Sequence, residues 1–161
     1  MNQKRFKAIL FDKDGTLVDF NGTWLTLYEK LALEAADGDS AEAERLLRIG
    51  GYERASNVFL AGSELAAGTT DTIIRLWIGE ADMKRAAFWK ARMDRAFTEE
   101  GPAAAVPVPG LHTTLAHLHG EGRGLAVVTN DLEAAARRTI EKFGVTRLFS
   151  AFIGYDSVQN P

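Results

Sequence analysis

Four apolar residues in a row, Ala8 to Phe11 (AILF), follow Lys7 and stop at Asp12. A run that short and partly β-branched predicts a fully buried strand, not a helix. From Trp24 to about Ala36 the period changes. Trp24, Leu25, Leu27, Tyr28, Leu31 and Ala35 recur at helical spacing and form one broad apolar face. Ser40, with Glu42 and Glu44 close behind, predicts a second helix to about Arg48, where Gly50-Gly51 stops it. The stretches Asn57 to Ala67 and Thr70 to Ile78 read as two more helical pieces separated by Gly68, and Ala81 to Glu99 as a long helix. No strand is expected in this middle region.

The pattern then changes again. "GPAAAVPVPG", Gly101 to Gly110, holds three of the four prolines and predicts a linker, since proline disfavours helix for itself and its predecessor. Leu111 to His119 is helical, with Leu111, Leu115 and Leu118 on one face. Leu125 to Val128 (LAVV) is a second buried strand, Leu132 to Phe143 a helix stopped by Gly144, and Ala151 to Gly154 a short third strand. With the helical middle set aside, the order is β-α-β-α-β. That order predicts an α/β fold built on a parallel sheet with helical crossovers, interrupted by a helical insertion.

Composition narrows the function classes. A length of 161 residues with 46% hydrophobic content suits one domain, or a core with a modest insertion. A net charge of −3 without a basic block argues against nucleic acid as a partner. There is no cysteine, which removes disulfides, thiolate metal sites and a thiol nucleophile. No apolar run is long enough to cross a bilayer, and the one after Lys7 is too short for a signal-peptide core, so no membrane is expected and a cytoplasmic location is the expectation.

The chemistry-bearing stretch is "FDKDGTLVD", Phe11 to Asp19. In extended chain Asp12 and Asp14 face one way and Lys13 the other, just beyond the C-terminal end of a strand, where open α/β sheets place their ligands. Gly15 permits a sharp turn, and the Thr16 hydroxyl can hold a neighbouring group. Two carboxylates so close need a cation or a proton between them. Mg²⁺ suits them as a hard ion taking oxygen ligands together with substrate phosphate. One carboxylate can then attack phosphorus while the other handles the leaving group's proton. An acid pair in a surface turn is the plain alternative. A calcium loop is excluded, because Leu17 and Thr23 stand where that loop needs glycine and glutamate.

"ILFDKDGTLVD" resembles the first motif of the haloacid dehalogenase (HAD) superfamily, D-x-D-G-T-L-x-D, at every defined position. The resemblance implies a HAD-type Rossmannoid parallel sheet, incomplete here at about three strands, with an inserted helical cap. It implies that Asp12 is the nucleophile, forming an aspartyl-phosphate, and Asp14 the general acid/base. The Asp12 carboxylate and the Asp14 carbonyl would hold Mg²⁺. P-type ATPases of the same superfamily carry threonine at the second position and a longer-lived phosphoenzyme, so Asp14 favours hydrolysis. "LAVVTND" resembles the second motif, which makes the Thr129 hydroxyl and the Asn130 N–H phosphate ligands; Asn130 and Glu133 have capping-box spacing, and a helix starting there would favour an anion.

Residues 20–105 lie where the family carries a C1 helical cap, and residues 1–19 with 106–161 form the core. Arg54, Asn57 and Arg75 are candidate substrate contacts, although a solvated cap surface accounts for each of them. Trp24, Trp77 and Trp89 are expected in the core, and His112, His117 and His119 at the surface. The Lys after Asp12 and the run "VPVPG…LAVVTN…FGV…F…GYDS" resemble bacterial phosphoglycolate phosphatase-like proteins. The implied activity is Mg²⁺-dependent hydrolysis of a small phosphorylated metabolite. A phosphomutase or phosphotransferase, or a non-catalytic fragment, are the alternatives.

The family's third motif, a lysine usually before proline, and its acidic fourth motif are not found; Gln159-Asn160-Pro161 stands where the Lys-Pro should arrive. Neither Lys142 nor Asp156 is well placed to replace them. The expectation is a C-terminally truncated chain with impaired activity. In the family's sheet order, 5-4-1-2-3, such a chain leaves the first strand as an open apolar edge that invites self-association.

Overall fold

The computed structural model describes residues 6–79 and 83–157. The Ala81 start expected for the long helix and the Gln159-Asn160-Pro161 tail lie outside them. In chain order the elements are β1 (Ala8–Phe11), α1 (Phe20–Ala35), α2 (Ser40–Ile49), β2 (Tyr52–Glu53), β3 (Val58–Phe59), α3 (Glu64–Ala67), α4 (Thr70–Ile78) and α5 (Met83–Arg95). A π-helical turn, Ala96–Glu100, runs into α6 (Gly101–Ala104). After it come α7 (Leu111–Gly120), β4 (Gly124–Val128), α8 (Glu133–Lys142) and β5 (Ala151–Ile153). The chain divides into two units, residues 1–20 with 102–161, and residues 21–101.

The first unit is α/β. Its sheet has the order β1-β4-β5, both pairs parallel, with Phe11 level with Val127 and Val127 level with Phe152. β4 is central, and its Leu125, Ala126 and Val127 are buried. Leu111 and Leu115 of α7, Ala136 and Ile140 of α8, and Phe143, Val145, Phe149 and Phe152 complete one apolar core with Leu17 and Val18. Gly144 ends α8 region's last turn with φ +70°, a conformation that glycine adopts without a Cβ penalty.

β1 corrects the expectation of a fully buried strand. Ile9 and Phe11 are half-buried, while Leu10 is 68% exposed. Among the described residues β1 pairs with β4 alone. A strand at a sheet margin has one row of backbone groups unpaired and fewer neighbours over its side chains.

The proline-rich return segment is also more ordered than a linker. Pro102 sits in the first turn of α6, where a missing N–H costs no helical hydrogen bond. Val106 then accepts from the Asp19 amide at 2.8 Å, and the Val108 amide donates to Leu17 at 3.1 Å. Lys142 Nζ donates to the carbonyls of Ala103 and Ala105 at 2.6 and 2.8 Å, so this ammonium is spent on the returning chain.

The second unit is mainly helical. Trp24, Tyr28, Phe59, Trp77 and Phe97 form an aromatic cluster with centroid spacings of 5.6–6.4 Å. Leu31 and Met93 are fully buried beside the helical faces that the sequence pattern marks. The exception is the stretch expected to be a helix from Asn57. Here β2 and β3 form an antiparallel hairpin, Tyr52 level with Phe59, and only Glu64–Ala67 is helical. Asn57 takes φ +55° in the connection and accepts from the Tyr52 hydroxyl at 2.8 Å, which is turn chemistry.

No helix among the described residues is long and apolar enough to cross a membrane.

Candidate active site

β1 and β4 run parallel and side by side, so the segments after Phe11 and after Val128 leave the same edge of the sheet. Asp12 and Thr129 stand on these two exits. Asp12 is exposed, and its Oδ1 accepts from the Lys13 amide at 2.8 Å. The chain then turns on Lys13, whose carbonyl accepts from Leu17 at 2.9 Å and Val18 at 3.0 Å. Gly15, at φ +76°, donates its N–H to the Val18 carbonyl at 2.9 Å and closes the turn. Thr16 is exposed, and among the described residues no hydrogen bond ties its hydroxyl to a carboxylate.

Burial alternates as extended backbone requires: Asp12 outward, Lys13 inward, Asp14 half-exposed. The long Lys13 side chain nevertheless does not lead away from the acid pair. It is 1% exposed, and its Nζ lies 2.7 Å from Asp14 Oδ2 and 3.2 Å from Asp131 Oδ2. An ammonium thus sits inside the carboxylate cluster, on the protein side of it.

Thr129 is buried; its amide donates to the Ile153 carbonyl at 2.9 Å, and its hydroxyl oxygen accepts from the Asp131 amide at 3.2 Å. That hydroxyl keeps its own proton to donate to a ligand. Asn130 is exposed. The capping box between Asn130 and Glu133 does not form. α8 begins at Glu133 with Leu132 in the capping position and no cap from its side chain. The Glu133 amide instead donates to Asp156 Oδ1 at 2.9 Å, and Ser157 Oγ donates to Glu133 Oε2 at 2.9 Å. The first amide of α8 is therefore taken by a carboxylate from the loop after β5, which outcompetes an anion from solvent by being tethered.

Asp131 is the residue that sequence reasoning missed. Its Oδ1 accepts from the Leu132 amide at 2.8 Å, its carbonyl from the Tyr155 amide at 3.1 Å, and its Oδ2 faces Lys13. That buried Oδ2 takes no directed hydrogen bond among the described residues, so its contact with Lys13 is ionic. Burial pushes the Asp131 carboxyl up from its ordinary value, and Lys13 works against that shift. The signal available in the sequence was a paired departure: a cation after Asp12 and an acid after Thr129-Asn130, on strands that the β-α-β order makes neighbours.

Residues 6–161 match the family model of haloacid dehalogenase-like hydrolases. The chain belongs to that family. Among the relatives of this haloacid dehalogenase-like chain is a phosphoglycolate phosphatase from Cereibacter sphaeroides, 30% identical over 150 residues, which span 92% of this chain and 62% of that one. A phosphoglycolate phosphatase from Salmonella typhimurium is 26% identical over 164 residues, 98% of this chain and 64% of the other. A crystal structure of a predicted phosphoglycolate phosphatase from Haemophilus somnus superposes with a TM-score of 0.66 at 25% identity, covering 96% of this chain and 65% of that one. The haloacid dehalogenase-like chain thus spans a little under two thirds of the length of these relatives.

The donors at the β1 exit fit Mg²⁺ in kind: an exposed carboxylate and backbone carbonyls, all hard oxygen. No group of three or more acidic or imidazole side chains that could hold a metal ion occurs among the described residues. The set fits an ion that keeps waters and takes substrate oxygen, as Mg²⁺ does. In the second unit, Arg54 pairs with Glu29 at 2.9 Å and with Glu44, and its guanidinium stacks 5.3 Å from the Tyr52 ring centroid.

Proposed function

We propose that this protein hydrolyses a small phosphomonoester through an aspartyl-phosphate on Asp12. The observation that supports the reading best is the "DKDGT" turn at the open end of β1, with exposed Asp12 beside the Thr129 exit of β4. The names of the relatives make phosphoglycolate the first substrate to try. Residues 20–105 act as a helical cap that selects the ester, and residues 1–19 with 106–161 as the core that carries the chemistry.

In the first step an Asp12 carboxylate oxygen attacks phosphorus, the P–O bond to the leaving group breaks, and Asp14 gives the departing oxygen its proton. In the second step Asp14 takes a proton from water, the water oxygen bonds to phosphorus, and the P–O bond to Asp12 breaks. The Thr129 hydroxyl and the Asn130 N–H hold phosphoryl oxygens, and preorganised donors of this kind favour the more highly charged transition state. Mg²⁺, held by the Asp12 carboxylate and the Asp14 carbonyl, would supply charge neutralisation to the phosphoryl oxygens.

Because the chain spans less than its relatives, the test separates the first step from the full cycle. The purified protein is incubated with Mg²⁺ and an aryl phosphate, with phosphate release followed alongside acid-stable, hydroxylamine-labile label on the protein. Both signals are expected to vanish in Asp12→Asn. An Asp12→Asn variant that labels and releases phosphate as the parent does would overturn the reading.

A further inference from the structure

The cluster at the strand exits holds a cation that the reaction scheme above does not use. Lys13 carries a long, strongly hydrated ammonium, and burying one is costly unless it is paired. Here it is 1% exposed and sits between the carboxylates of Asp14 at 2.7 Å and Asp131 at 3.2 Å. Asp131 is itself fixed, through Leu132, Thr129 and Tyr155 backbone or hydroxyl partners, to the loops after β4 and β5. The chain of contacts runs from the phosphate-holding loop, through Asp131 and Lys13, to Asp14.

We propose that Lys13 is a positioning residue for Asp14, and that Asp131 acts on Asp14 chiefly through Lys13. This rests on the functional reading above for the consequence it has in catalysis, though not for the contact itself. A carboxylate that must first give a proton and then take one has to keep a single orientation toward the reacting oxygen. Asp14 stands on a turn closed by a glycine with φ +76°, where backbone alone leaves its χ angles free. A charge-assisted bond from a buried ammonium fixes one of its oxygens and leaves the other for the leaving group or water. Holding the ammonium from behind with Asp131 keeps it from swinging out to solvent.

Two measurements test this on the full chain, comparing the parent with Lys13→Met, Asp131→Asn and the double variant Lys13→Met/Asp131→Asn. The double variant replaces Lys13 and Asp131 by neutral groups of similar size, so it remains informative if Asp131→Asn alone, by removing one of the two carboxylates around a buried ammonium, folds poorly. The first measurement is the carboxyl-carbon NMR resonance of Asp14 at fixed pH. Each single variant is expected to move it, whereas adding Asp131→Asn to Lys13→Met is expected to move it far less than Asp131→Asn does alone. An Asp14 resonance indifferent to Lys13→Met overturns the proposal, as does an Asp131→Asn shift of equal size with and without Lys13. A lysine with a merely structural role would lower thermal stability without this pattern.

The second measurement is turnover of an aryl phosphate, whose leaving group needs no proton, against an alkyl phosphate, whose leaving group does. Lys13→Met is expected to slow the alkyl ester at least about tenfold more than the aryl ester, since positioned proton transfer contributes on the order of 10²–10⁴-fold. Equal losses on both esters, or none, overturn the positioning role. If the parent turns over neither ester, the phosphatase reading fails, and the Asp14 resonance still decides the link from Asp131 through Lys13.

Discussion

The backbone N–H of Glu133, the first residue of α8, donates to the Asp156 carboxylate 2.9 Å away across the loop that follows β5. The cap of this helix is supplied from 23 positions further along the chain, not by the residues before it. Removing it with Asp156→Ala is expected to cost about 1 kcal/mol, the usual worth of an N-cap, and Asp156→Asn less. Urea unfolding gives the loss. Hydrogen exchange should locate it at the first amides of α8.

A second expectation concerns Asp14. If it serves as base for the second chemical step, Asp14→Thr should leave Asp12 able to accept a phosphoryl group yet slow its hydrolysis by on the order of 10²–10⁴-fold. The lifetime of hydroxylamine-labile label after the phosphodonor is removed measures this. A lifetime unchanged from the parent's would remove Asp14 from that role.

The sheet offers a contrast between two leucines of the first unit. Leu115 is 1% exposed in the core, so Leu115→Ala is expected to cost about 2–5 kcal/mol through lost burial and the cavity left behind. Leu10 is 68% exposed on the outer strand. Leu10→Thr should change stability by no more than about 0.5 kcal/mol. Urea denaturation of the two variants checks both values.

Two acids predict opposite dependences on pH. The Lys30 ammonium, 2.8 Å away, holds Glu100 below its ordinary 4.5, with Arg92 adding to the effect. An acid whose folded pKa is depressed binds fewer protons when folded, so its contribution is present above the unfolded value and lost as pH falls through the folded one. Glu100→Gln should therefore flatten the acid limb of the stability profile. Asp131 is raised by burial, so the folded form holds its proton more tightly and stability falls as pH climbs from 3.8 to the raised value. Asp131→Asn should remove that decline. Urea midpoints measured across the acid range for both variants check the signs.

Much of the first unit was legible because its signals are local. β4 and β5 are short apolar runs, and α7 and α8 carry a helical period with a glycine stop, so each element lies within a residue or two of its expected place. At β1 the apolar run alone reads as fully buried, because a strand's exposure depends on neighbours that its own residues do not specify; its place at the sheet margin is what the family's strand order indicated. The β2–β3 hairpin was hidden for a related reason. Each strand is two residues long, and Phe59 belongs to the hairpin by packing on Tyr52 and Tyr28, not by any alternation of its own. At the site, Asp12, Asp14, Gly15 and Thr129 could be picked out by motif. Asp131 could not, because what gives it meaning is Lys13, a partner on another strand's exit.

Gly154 adds a constraint of clearance. A Cβ at this position would collide with the Glu133 amide, reach 2.6 Å from the Asp131 carbonyl oxygen and 2.7 Å from Asp156 Oδ1. One methyl group there would have to displace the loop that carries Asp131, and with it the carboxylate facing Lys13. The tolerance of the Lys13–Asp131 contact is thus set from outside it, by the width of a hydrogen atom on a glycine after β5.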